Sequence, residues 1–259
     1  MKRVVAVMMG LVMLCGCGAV GIGEPETAPP TTTLSAYITI PSALPNPPDA
    51  RYLRCVAALP EDNIYLYNDN GNMMLFQDGH ATSFSDLGHE KYDYPKMACL
   101  DLDGDGEKEI AVVAIVGSGT GLCITDLHIL KLMTYYDEIY YKDFVLTHKD
   151  VSTWFHENLK YERGKKADIL ELKIDGKTFT ANLEPDKVWT GETKSGSHVY
   201  FTFKGNGIRL RTIMSANYEE GPTWGDSFGH FIADVTFDGK QFSLTNIDLV
   251  PDEWPIPED

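Results

Sequence analysis

Five carboxylates fall within the nine residues Asp101-Leu102-Asp103-Gly104-Asp105-Gly106-Glu107-Lys108-Glu109. Like charges this close repel one another, so the spacing calls for a neutralising partner. Calcium is one: it takes roughly six to eight hard oxygen ligands at about 2.3–2.6 Å. Asp at every second position offers such oxygens, and Asp101, Asp103 and Asp105 stand at loop positions 1, 3 and 5. Gly106 allows the sharp turn, and Glu107 can contribute its main-chain carbonyl. An EF-hand would need a bidentate Glu at position 12. That position is Val112, inside an apolar run, which excludes an EF-hand. Glu109, at position 9, can close a shorter loop. The expected cofactor is therefore calcium, held by Asp101, Asp103, Asp105, Glu107 and Glu109. The competing reading is an exposed acidic turn without metal.

The flanks say what must position this loop. Met97-Ala98-Cys99-Leu100 precedes it and Ile110-Ala111-Val112-Val113 follows it, which reads as strand–loop–strand. The arrangement resembles the FG-GAP/VCBS-type calcium loops of integrin α propellers and many bacterial surface proteins. Their pattern is Asp-x-Asp/Asn-x-Asp-Gly-x-x-Asp before a β run, and the likeness spans Cys99 to Ala114. Two departures stand out. Glu109 replaces the usual Asp, and the loop occurs once where propellers repeat it blade after blade. With Ile64-Tyr65-Leu66-Tyr67, Gly117-Ser118-Gly119-Thr120-Gly121 and Leu127-His128-Ile129-Leu130, the chain is similar to uncharacterised Gram-positive lipoproteins that carry one such repeat. That resemblance implies a location and calcium, and no activity.

Other motifs carry less. Gly225-Asp226-Ser227-Phe228-Gly229 has the GxSxG spacing of serine hydrolases, but an elbow needs strand, turn and helix, and Phe231 to Phe237 reads as strand. Gly117 to Gly121 lacks the Lys of a phosphate loop and precedes a strand, so it reads as a hairpin loop. The seven histidines form no HExxH motif. Trp224, beside Gly and Pro, is the best candidate for a ligand contact among aromatics that otherwise read as β core.

The remaining pattern is mostly strand. Asn70-Gly71 joins two β-type runs, and Asp78-Gly79 marks a further turn. Glu109 to Val116 is a continuous, β-branched apolar run, the mark of a buried central strand. Gly117 to Gly121 reverses the chain into Leu122–Leu132, with Cys123, Thr125, Leu127, Ile129 and Lys131 on one face. Leu172–Phe179 and Val235–Phe242 look alike: Asp-Gly takes the turn and Lys-x-Phe starts the return strand. Gly205-Asn206-Gly207 turns another hairpin. One helix is expected near 150–163, with Asp150 as N-cap and Val151, Trp154, Phe155 and Leu159 at helical spacing. The expected fold is mainly β, with antiparallel hairpins forming a sandwich or a partial propeller-like assembly.

The chain begins with Lys2 and Arg3, an apolar run from Val4 to Leu14, and then Leu14-Cys15-Gly16-Cys17. The run is too short for a stable bilayer span. It resembles the bacterial lipobox, with Leu at −3, a small residue at −1 and Cys17 at +1, which implies lipid on Cys17 and a palmitate-bearing anchor. Residues 1–16 then form a signal peptide, 17–50 a Pro/Thr-rich tether, and 51–259 the β domain, with possible halves at 51–148 and 165–250. The formal charge of −16 disfavours nucleic acid, whose phosphates demand clustered Lys and Arg. Loss of the signal removes two positive charges and no negative ones, leaving −18. Cys55, Cys99 and Cys123 lie in apolar runs and read as buried thiols or one bridge. The reading is an extracytoplasmic lipoprotein anchored to the bacterial membrane, a binding module for an unknown ligand or envelope protein. The alternatives are a cell-envelope hydrolase acting on glycan or ester, and an accessory subunit of an envelope complex. If Cys17 carries the anchor, labelled palmitate enters the wild-type chain and is lost in Cys17→Ala; equal labelling would place the lipid elsewhere.

Overall fold

The computed structural model describes residues 54–69, 72–78, 80–84, 95–119, 122–136, 138–220 and 226–251. Cys17, the tether and Trp224 lie outside them. The fold is mainly β, as the sequence pattern requires. Four strands, β1 (Arg54–Leu59), β2 (Ile64–Asp69), β3 (Asn72–Gln77) and β4 (His80–Phe84), form an antiparallel meander. Asp69 pairs with Asn72, and Asn70-Gly71 between them lies outside the described residues.

The large sheet holds β5 (Lys96–Leu100), β6 (Glu109–Gly119), β7 (Leu122–Tyr135), β8 (Glu138–Leu146), β12 (Trp189–Lys204), β13 (Gly207–Tyr218), β14 (Asp226–Phe237) and β15 (Phe242–Val250). Its order is β15-β14-β13-β12-β7-β6-β5, with β8 also on β7. Every pairing is antiparallel except β12 with β7, which is parallel at His198↔Cys123 and Val199↔Ile124. Through that contact the sheet joins strands from the two stretches separated by the helix. A third sheet, β11-β10-β9, contains β9 (Lys160–Arg163), β10 (Ile169–Ile174) and β11 (Lys177–Asn182).

The continuous apolar run after the acidic loop now has its reason. Ile110, Val112 and Leu130 turn toward the meander and pack with Val56, Ile64, Leu66, Met73 and Leu75. Ala111, Val113, Leu127 and Ile129 turn the other way, into the principal core. A strand covered on both faces cannot alternate apolar with polar. The large sheet curls around this core: Phe144 of β8 meets Phe237 of β14 at 5.0 Å between ring centroids, although the two strands are far apart in sheet order.

One α-helix occurs among the described residues, α1 (His148–Asn158). It corrects the expected 150–163 span at both ends. The N-cap is Thr147, not Asp150. The Thr147 hydroxyl accepts the Asp150 N–H at 3.1 Å, and the Asp150 carboxylate accepts the Thr147 N–H at 2.9 Å, a reciprocal capping box. The helix stops at Asn158 because Lys160–Arg163 pairs with β10 as a strand, so Leu159 packs from beyond the helix end. Val151 and Phe155 are its buried residues.

The two look-alike hairpins differ. Ile174 pairs with Lys177, leaving the two-residue turn Asp175-Gly176 with φ of 50° and 70°. Phe237 pairs with Phe242, so the second loop has four residues and Lys240 lies outside the return strand. There the Asp238 carboxylate accepts the main-chain N–H groups of Lys240 and Gln241 at 2.9 and 2.8 Å, capping the longer turn.

Phe155 stacks on Phe231 at 5.3 Å, and Phe179 meets the same ring edge-on at 5.7 Å. This cluster ties α1 and β10–β11 to the large sheet. Phe155→Ala should cost about 3–5 kcal/mol in chemical denaturation, with the denaturant slope unchanged.

Candidate metal centre

The acidic loop connects β5 to β6, which pair antiparallel with Leu100 opposite Glu109. Its backbone is folded by its own carboxylates. Asp101 accepts the N–H groups of Gly104 and Gly106, at 2.8 and 3.2 Å. Asp103 accepts the Asp105 N–H at 3.3 Å, and Asp105 the Glu107 N–H at 2.8 Å. Glu109 reaches back to accept the Leu102 N–H at 2.9 Å. Gly104 and Gly106 sit at φ of 76° and 91°, a region that other residues enter at a steric cost.

Asp101, Asp103 and Glu109 converge: each offers a carboxylate oxygen, and these oxygens lie within 4.8 Å of one another. Oxygens that share one calcium at about 2.3–2.6 Å are at most about 5 Å apart, so the spread and the donor type both fit a hard divalent cation. Asp105 and Glu107 do not belong to the converging group. The Asp105 side chain is 44% exposed and joins it through a lysine. Glu107 is exposed, and of its main chain only the N–H has a partner within the loop.

That lysine was not legible as a site residue. Lys131 enters from β7, the strand beside β6. Ile110 pairs with Leu130, so one register step further on Glu109 and Lys131 face each other. The Lys131 ammonium donates to Asp103, to Asp105 at 2.6 Å and to Glu109 at 3.1 Å. The Glu109 side chain is only 1% exposed and that of Lys131 15%. Burial works against the Lys131 charge, but the hydrogen bonds to Asp103, Asp105 and Glu109 outweigh it and raise its pKa above the ordinary lysine value. The Lys131 hydrogen bond, followed by that from the Glu107 N–H, pulls the Asp105 carboxyl below its ordinary value. The alternation of Cys123, Thr125, Leu127, Ile129 and Lys131 on one face of the returning strand was the available signal; what it lacked was the register, which shifts by one residue between Ile115 and Gly117.

The tip of the β14–β15 hairpin also meets the loop. Gly239 has φ of 84°, and a Cβ there would come within 2.7 Å of an Asp103 carboxylate oxygen. On its other side the loop borders a cleft of about 410 Å³, where Asp101 and Leu102 face Lys204, Arg209 and Asp234.

Ser227 lies within β14, opposite Ser215, and so has no strand–turn–helix elbow around it. Two histidine–carboxylate pairs were not foreseen: His128 with Asp143 at 3.0 Å, and His148 with Asp126 at 2.8 Å. The His128 Nε2 is buried and has no hydrogen-bond partner among the described residues. Cys55 and Cys99 are free thiols, and burial raises the pKa of both, which disfavours the reactive thiolate.

No family model, curated protein or solved structure matches the chain. The class is thus defined by the fold and the loop alone: a mainly β protein whose acidic strand-to-strand loop is closed by a lysine from the next strand.

Gly239→Ala should destabilise the protein more than Gly176→Ala in thermal or chemical unfolding. Both put a side chain at positive φ, a strain of about 1–2 kcal/mol. Only the first also pushes on Asp103, since no heavy atom lies within 4 Å of a Cβ built at Gly176. Equal losses would mean that the hairpin tip does not press on the loop.

Proposed function

We propose that this chain is an extracytoplasmic, lipid-anchored β module that serves binding or interaction, and that its Asp101–Glu109 loop takes calcium as a structural pin. The observation that carries the calcium reading is the convergence of Asp101, Asp103 and Glu109 oxygens within 4.8 Å at the mouth of the β5–β6 hairpin. Bound calcium would supply a double positive charge to these acids. The chain supplies the rest: the Gly104 and Gly106 N–H groups orient the Asp101 carboxylate, and the buried Glu109 carboxylate ties the loop to the first residue of β6 through the Leu102 N–H.

The anchor on Cys17 is supported by the lipobox-like Leu14-Cys15-Gly16-Cys17 stretch. No described helix is long and apolar enough to cross a membrane. The hydrolase alternative loses ground at Ser227, because a serine within a paired strand lacks the exposed turn that presents a nucleophile. An accessory role in an envelope complex fits the same anchored module.

Calcium binding to the folded state raises stability by mass action, by about 2.7 kcal/mol at a hundredfold excess over the dissociation constant. Melting wild type in chelator and then in millimolar calcium should therefore show an upward shift in Tm. Asp103→Ala should abolish that shift. A wild-type Tm that ignores calcium would refute the calcium reading.

A further inference from the structure

We propose that Lys131 sets the affinity of the loop: its ammonium stands among the carboxylates in the calcium-free protein, and calcium enters only by displacing it. The inference rests on the calcium reading above and adds the residue that controls it.

The geometry leads there directly. A lysine ammonium and a divalent cation satisfy the same need, positive charge against converging carboxylates. Lys131 already meets that need at Asp103, Asp105 and Glu109. Two of these, Asp103 and Glu109, are also members of the three-residue group able to share an ion. A cation bound by that group and the ammonium would then compete for the same acids at contact distance, where like charges repel strongly. Lys131 is also placed there by the fold and is not a mobile surface chain. Its strand register sets it opposite Glu109, and its side chain is only 15% exposed.

Two consequences distinguish this arrangement from a calcium loop without a lysine. First, the calcium-free protein keeps its loop closed, because Glu109 retains a cation. Secondly, the affinity is lowered by whatever it costs to move the ammonium out, so the site fills only at high calcium. One ammonium offsets only part of the charge on the loop acids, so the residual field still draws a divalent ion. Lys142 provides the control. It stands opposite Lys131 in the β7–β8 register and has the same charge, but its ammonium lies over the Phe144 ring at 4.4 Å.

The test is calorimetric titration of calcium into wild type, Lys131→Met and Lys142→Met, with melting curves in chelator and in calcium. Lys131→Met is expected to bind calcium at least ten-fold more tightly than wild type. In chelator it should melt below wild type, and calcium should restore it by a larger Tm shift than wild type shows. Lys142→Met should bind within about two-fold of wild type. Equal affinity for wild type and Lys131→Met would overturn the proposal and leave the calcium reading standing. An equal gain in both lysine variants would also overturn it, since a general field effect would then suffice. No binding by wild type or Lys131→Met would refute both. Should Lys131→Met fail to fold, Lys131→Gln and lysine side-chain NMR of the wild type take its place. One lysine ammonium signal must move as calcium is added; binding without such movement overturns the displacement.

Discussion

A carboxylate buried to 1% exposure at the first residue of a central strand is the constraint around which this structure is arranged. An ionised group removed from water must find opposite charge and hydrogen bonds nearby, or it becomes strongly destabilising. Glu109 finds the Lys131 ammonium on one oxygen and the Leu102 N–H on the other. The first partner belongs to the neighbouring strand and the second to the loop itself. One buried charge therefore ties the loop conformation to the β6–β7 register. A shift of that register by one residue would move Lys131 to the opposite face and leave Glu109 without its cation.

The same region joins the protein's parts. β6 and β7 are covered by the meander on one face and by the principal core on the other. The loop at the start of β6 receives the β14–β15 hairpin tip at Gly239. The acidic loop thus lies where strands near both ends of the large sheet's order come together, as the sheet curls around Phe155, Phe231 and Phe237. A cation at this point, whether ammonium or divalent ion, acts on contacts well beyond the loop.

Much of the fold was legible because local rules operate without knowledge of partners. Asp175-Gly176 makes a two-residue turn since both residues accept positive φ. The Glu109–Val116 run is strand throughout, as expected, and is buried from Glu109 to Ala114. The helix was legible in type but displaced in its bounds. Thr147 outcompetes Asp150 as cap because it can exchange hydrogen bonds with it, and the C-terminal end is decided by pairing of Lys160–Arg163 with β10. The resemblance between the two Asp-Gly-Lys hairpins was local too, and broke where Asp238 satisfied two N–H groups and lengthened the turn.

By itself the sequence determined the mainly β architecture, the position of the acidic strand-to-strand loop and the exclusion of an EF-hand, because each depends on residue spacing within one short segment. Only the tertiary structure decided which carboxylates converge, and that Lys131 neutralises them. The reason is separation along the chain: Lys131 is 22 residues from Glu109, and the register of the β6–β7 hairpin, which shifts between Ile115 and Gly117, brings the two charges within 3.1 Å. The sequence posed a cluster of like charges; the fold supplied a cation from the adjacent strand.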